Sequence, residues 1–546
     1  MKRIGLILLL ICTFVFSALT GVALADDQHG HDHHEALTAS QLGTVHFPVS
    51  CAPFVQKPFE RGVALLHSFW YEEATKQFEQ IANDDPECAM AYWGIAMSLW
   101  HQLWNEPDAS VIDHGMEEIH MAKGNGGTTT ARERAYIDAI AAFYSNSRKL
   151  DHRERARAYS DAMKKVYESY PGDHEAAAFF ALSLLASEPH DDTTFANRKR
   201  AAAILEKLFA TEPDHPGVAH YLIHSYDKPQ LAQLGLPAAR RYAQVAPSAP
   251  HALHMPSHIF ARVGLWQDDI NSNLASIAAS RKSSAMGMGG GGHQFHAMDF
   301  LFYAYMQSGR DADARALMEE VKAMPKMHDM YGLGFDPHIA AMANFASLYP
   351  LEMRDWASAA AITVISVPGA PDQEAVQYWA RAIGAAHLHD AAQVKKDVAE
   401  IHRIHEELIS RKKSGAAEAV ADDQRQAEAW QSFAEGKPDD AVEALRPMAD
   451  KEDALGTEPA GIPLREMMAD MLLEAKHPQQ ALVEYQADLK LNPNRFNGLY
   501  GAARAAEAAG KQGDASEYYA LLLKVCDGSN STRPELARAR QLVAQK

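Results

Sequence analysis

Along most of this chain apolar residues return at helical spacing, in segments one helix long that are parted by short polar or proline-containing turns. From Pro58 onward the same kinds of residue recur. Gly62, Leu65, Ala74, Phe78 and Pro86 mark one pair of segments, and Met90, Ala91, Tyr92, Trp93 and Gly94 open the next. Small residues suit a close crossing of two helices, the phenylalanine plugs the space between them, and the proline ends the second. Pro213 and Pro247, Pro216 and Pro250, His220 and His254, and His224 and His258 are each 34 residues apart. A fixed interval of this size predicts helical hairpins that stack one on the next, an all-α solenoid.

The pattern continues with less regularity. Thr130 is placed to cap a helix over 132–144 with Glu133 in its first turn, and longer helices are expected over 153–170 and 175–186. After Trp266 a helix runs to about residue 283, then Met286, Met288 and the glycines through Gly292 interrupt it, since glycine costs about 1 kcal/mol per position in a helix. Gly264 and Gly309 stand in the same turn of two repeats but 45 residues apart, so the glycine-rich stretch near 285–293 is an insertion. Residues 411–428 read as either a linker or a helix. Ala441, Ala481 and Ala515 sit at helix crossings within 429–527, and 528–546 is expected to be a polar capping helix.

The 34-residue interval and the residues that fill its glycine, aromatic, alanine, phenylalanine and proline places resemble the tetratricopeptide repeat (TPR) family, over most of the chain from Pro58 to Cys526. The resemblance implies a superhelical array of antiparallel helix pairs. It also implies that the first helix of each repeat lines a concave groove, where a protein or peptide segment is the usual ligand. On that basis His67, His101, Trp93, His296 and Asp299 are expected on the groove face. Cys51 and Cys88 each precede a first helix, so a disulfide and two buried thiols are both compatible with the spacing, with Cys526 unpaired.

Lys2 and Arg3, an apolar run over 4–22 and Ala23-Leu24-Ala25 read as a secretory signal peptide over 1–25. The expectation is an exported, bacterial-type protein, periplasmic or secreted, without a transmembrane segment after cleavage. A disordered tail is expected over 26–50, where His29, His31, His33, His34 and Glu35 can hold copper, nickel or zinc loosely. The formal charge of −19 argues against nucleic acid and anionic membranes as partners.

Chemistry concentrates in the histidines. The pairs His220/His224 and His254/His258 are each spaced i, i+4, so each shares a helix face, and the repeat sets one pair beside the other. Such pairs suit a zinc or copper ion, with His293 beyond the glycine insertion as a further ligand. Pro256 between His254 and His258 is expected to start a helix there and to make the array less square. Met286, Met288 and Met298, with Met324, Met327, His328 and Met330, add a thioether set of copper type. Three functions follow: a peptide-binding scaffold, a transition-metal protein, and a metal-dependent hydrolase drawing a carboxylate from Asp299, Asp336, Glu188 or Glu175. No catalytic residue is assigned, because neither a His-Glu-x-x-His run, a phosphate-binding glycine loop nor a Gly-x-Ser-x-Gly elbow occurs.

Overall fold

The computed structural model describes residues 37–544 except 105, 126, 128, 326–333 and 457–459. The signal sequence, the tail histidines His29 to His34, and Met327, His328 and Met330 lie outside the described residues. The described chain is an all-α solenoid of antiparallel helix pairs, with no strand among its elements. Gln56–His67 pairs with Tyr71–Asp84, Ala89–Leu99 with Ala109–Gly124, and Ala131–Tyr144 with His152–Ser169. His174–Ala186 and Ala196–Thr211 come next, then Pro216–Tyr226 and Ala232–Val245. Pro250–His254 and Pro256–Arg262 together face Trp266–Ala285, and His293–Gln307 faces Asp311–Ala323. Further pairs lead to Phe496–Ala508 and Gln512–Val525, and Pro534–Val543 closes the stack. The stretch read as linker or helix is the helix Ser414–Ala434.

The small-residue positions carry the packing that the pattern implied. Phe78 lies between Gly62 and Gly94, and a Cβ on Gly94 would stand 2.4 Å from the phenyl ring. Thr130 caps its helix as expected: Glu133 donates its backbone N–H to Thr130 Oγ1 at 3.2 Å, and Thr130 donates its own to Glu133 Oε2 at 2.7 Å. The other carboxylate oxygen of Glu133 accepts from Ser50 N at 2.6 Å, which ties the incoming chain to the third helix pair. Cys51 and Cys88 form a disulfide, and Cys526 is a buried thiol.

Residues 42–47, expected to belong to the disordered tail, are packed against the repeats. Leu42, Val45 and Phe47 are buried, and the Phe47 ring packs on Phe59, Trp93 and Tyr136 at 5.4, 5.5 and 5.0 Å. Burying a phenylalanine stabilises by roughly 1.5–3 kcal/mol, enough to hold a segment whose neighbours are polar.

Two returns of the chain close the superhelix. Thr44 N donates to Asp214 O and Ser248 N to Gln41 O, so the entering segment lies against the fifth and sixth pairs. The C-terminal repeats fold back on the middle ones: Trp266 Nε1 donates to Asn494 O at 2.8 Å, and the buried Arg495 bonds Glu352 at 3.0 Å and Glu466 at 2.9 Å. Such closure turns part of the concave face into interior.

Candidate metal centre

The helix Pro216–Tyr226 opens with proline in its first turn and with His215 Nδ1 accepting the Val218 N–H at 3.2 Å. One turn further in, His220 and His224 share the inward face, their Nε2 atoms 3.1 Å apart. The next inward strip is broken, because Pro256 cannot continue the hydrogen-bond ladder and Pro250–His254 ends one residue before Pro256–Arg262 begins. The break leaves the strip nearly in line, for His254 Nε2 and His258 Nε2 stand 3.0 Å apart. The distortion expected at Pro256 therefore does not separate the pair.

The four histidines do not form one square. Each pair belongs to its own set of three, in which one ligand atom per residue lies within 4.8 Å of the others. His251 completes the set of His220 and His224, and His296 completes that of His254 and His258. The sets adjoin, with the rings of His224 and His258 6.3 Å apart and those of His251 and His254 6.0 Å apart.

Hydrogen bonds on the far side of the rings fix the tautomers. His258 Nδ1 donates to Asp227 Oδ2 at 2.9 Å, and Arg262 holds the other oxygen of that carboxylate at 2.9 Å. His254 Nδ1 donates to Asn273 Oδ1 at 2.7 Å, while the Asn273 amide nitrogen is spent on the Asp269 carboxylate and carbonyl. In the first set His220 Nδ1 donates to the His67 carbonyl at 2.6 Å. With Nδ1 of each ring spent on an oxygen acceptor, Nε2 of His254 and Nε2 of His258 are the nitrogens turned toward each other. At 3.0 Å they are close enough to share one proton or one metal ion. Two nitrogens each about 2.05 Å from one metal, at an angle of about 90–110°, stand about 2.9–3.4 Å apart.

Burial opposes a charge on four of the rings. It lowers the pKa of His220 to about 3 and that of His224, His251 and His254 well below the usual imidazole value, with neighbouring histidines adding to the effect for His224, His251 and His254. His251 is buried with neither ring nitrogen hydrogen-bonded. An unmet polar group of that kind costs about 1–3 kcal/mol, which coordination would offset. His296 is exposed, so water reaches this side of its set. One phenylalanine lies against each set. The Phe69 ring is 4.4, 5.7 and 5.5 Å from those of His220, His224 and His251, and the Phe300 ring is 4.9, 4.5 and 5.3 Å from those of His254, His258 and His296.

Several expected site residues lie elsewhere. His67 and Trp93 are buried, not on a groove: closure of the superhelix covers them, Trp93 among Phe47, Phe59 and Phe179, and His67 between Tyr221 and Glu175. His67 acts through its carbonyl. His101 stacks on Tyr71 at 4.4 Å, in the aromatic wall that includes Trp104. His293 joins neither three-nitrogen set and instead sits 5.3 Å from His251 and 5.6 Å from Trp104, because it heads its helix and His296 reaches the ligands one turn later. Asp299 accepts from Asn344 at 3.1 Å, and burial raises its pKa to about 7. Met298 is a core residue. The glycine insertion folds inward, where Gly289 O accepts the Trp70 indole N–H at 2.9 Å.

His251 escapes a reading by repeats because the position 34 residues earlier is Gly217. That glycine is required where it stands, since a Cβ there would meet His67 Nδ1 at 2.4 Å. The i, i+3 spacing of His251 and His254 was the available signal.

The fold and site define an all-α solenoid of antiparallel helix pairs with histidine sets in its interior. No family model matches the chain, and no curated protein does. Among solved structures it is similar to a human IFIT1 dimer with m7Gppp-AAAA, at 12% identity and a TM-score of 0.31, covering 80% of this chain and 90% of that one. It is also similar to the P58(IPK) TPR domain, at 13% identity and a TM-score of 0.21, covering 68% and 99%.

Proposed function

We propose that this protein binds two transition-metal ions, copper fitting best, at the adjacent sets His220/His224/His251 and His254/His258/His296. The observation that carries the reading is the approach of the His254 and His258 Nε2 atoms to 3.0 Å while both Nδ1 atoms are held by oxygen acceptors. Metal-ligating histidines are characteristically oriented by such a bond on the other nitrogen. Each set is all imidazole with no carboxylate among its three ligands. That excludes a good fit to magnesium, calcium or manganese and favours copper, which binds nitrogen donors most strongly among the divalent metals, over zinc. Of the carboxylates named for a hydrolase, none belongs to either set, and Asp299 accepts from Asn344. Glu188 pairs with Arg198, Glu175 with two other histidines, and Asp336 caps a helix.

Metal content, measured on untagged protein lacking residues 26–36 so that the tail histidines do not contribute, tests the proposal. Titration of metal-free protein with copper is expected to saturate at about two ions per chain. His258→Ala and His224→Ala are each expected to lose one, by weakening different sets, and the double variant both. Failure to retain copper through gel filtration, or a stoichiometry that neither substitution changes, would overturn it. A groove for a peptide partner in the repeat scaffold is the other function the fold allows, and the burial of His67 and Trp93 removes two of its expected contacts.

A further inference from the structure

We propose that the two histidine sets work as one dinuclear copper unit that takes up dioxygen between its metals, as peroxide bridging two copper(II) ions. This rests on the copper-binding reading above and adds to it a ligand and a reaction.

Proximity is the first argument. A metal bound to Nε2 lies about 3 Å from the ring centre, so sets whose rings are 6.0 and 6.3 Å apart hold their ions close enough to share one small ligand. Ion pairs that act jointly stand about 3.5–4 Å apart. Three imidazoles also leave each copper with an open position, as a site must have if it is to bind more than metal.

Charge is the second. All six ligands are neutral donors, and the one carboxylate bonded to a ligand ring, Asp227, is neutralised by Arg262. Two copper(I) ions therefore bring a charge of about +2 into an interior of low polarity, and two copper(II) ions about +4. A bridging dianion returns the oxidised pair to +2. The surroundings thus favour oxidation by a molecule that becomes such a dianion as it accepts the electrons.

The walls are the third argument. Phe69 covers all three rings of one set and Phe300 all three of the other, at 4.4–5.7 Å and 4.5–5.3 Å between ring centres. Neither offers a proton to a bound peroxide. His296 is exposed, which gives a small uncharged molecule a way in.

The step balances without protons. Each copper(I) gives one electron and becomes copper(II). Dioxygen takes both, its O–O bond order falls from two to one, and each copper bonds to the peroxide.

The test uses protein lacking residues 26–36, loaded with copper(I) under anaerobic conditions and then exposed to dioxygen. Expected are uptake of about one dioxygen per two coppers, an intense near-ultraviolet charge-transfer band, and little electron paramagnetic resonance signal because the two spins are coupled. Phe300→Ala is expected to keep both coppers but to shorten the life of the adduct several-fold. His258→Ala is expected to keep one copper and form no adduct. Protein that holds two coppers yet gives two separate copper(II) signals, without stoichiometric uptake, would overturn the dinuclear proposal and leave the copper-binding reading standing. Protein that holds no copper overturns both.

Discussion

Glu175 shows how much of the site depends on residues that touch no ligand position. Its carboxylate bonds His67 Nε2 at 2.8 Å and His215 Nε2 at 2.9 Å, all three side chains being buried. Burial opposes the charge, but the two histidines hold the Glu175 pKa far below the usual carboxylate range. His215 is raised by the carboxylate and His67 is lowered by burial, and since His215 Nδ1 accepts from Val218, His215 donates to Glu175 through Nε2. Neutral His67 then donates to Glu175 and accepts from Tyr221 at 2.8 Å, which fixes the carbonyl that receives His220. Glu175→Gln is expected to cost about 3–5 kcal/mol at pH 6, read by denaturant unfolding. A depressed carboxylate stabilises above its unfolded pKa and loses that stabilisation as the pH falls, so the gap to wild type should narrow below about pH 4.3. A gap independent of pH would refute the ionic account. Four of the six proposed ligands were legible from their 34-residue spacing, but spacing says nothing of which nitrogen faces inward. His251, opposite Gly217 in the repeat, carried no such mark.

Among the elements, helices and turns followed from the apolar period, the Thr130 cap and the prolines. What the period could not supply was the course of the glycine insertion. Gly290 has φ +91°, and a Cβ on it would lie 2.8 Å from Trp70 Nε1. Both facts require glycine, because the backbone there is one that side chains rarely adopt. Gly290→Ala should lower stability by about 1–3 kcal/mol in thermal unfolding. It should also weaken copper retention, since His293 and His296 follow the loop directly. The Cys51–Cys88 link, undecided from spacing alone, closes a separation of 37 residues, and its removal by Cys51→Ser with Cys88→Ser should cost about 3–4 kcal/mol. Unfolding with and without reductant checks this; reductant should not affect the double variant.

For the whole molecule the repeat interval announced a solenoid but not its closure, because closure depends on contacts between residues hundreds of positions apart that no local pattern encodes. Arg495 is the central one, bonded to Glu352, Glu466 and Tyr303 and stacked over the Tyr303 ring at 5.5 Å. Arg495→Met would leave two buried carboxylates without their cation and is expected to cost about 3–5 kcal/mol. A larger radius in small-angle scattering with copper content unchanged is the expected result, since the histidine sets lie in the earlier repeats. No helix of the described residues is long and apolar enough to cross a membrane.

The His67 carbonyl meets a histidine 153 positions later, and Phe69 closes over the same set. A ribosome therefore releases the first repeat long before the rings it must support exist, and the last ligand, His296, follows later still. The growing chain can form its helices one by one, but it cannot present finished coordination geometry until those distant parts have docked. On the copper-binding proposal, metal acquisition is thereby tied to completion of the fold, so ions met during synthesis would find only partial, weaker sets.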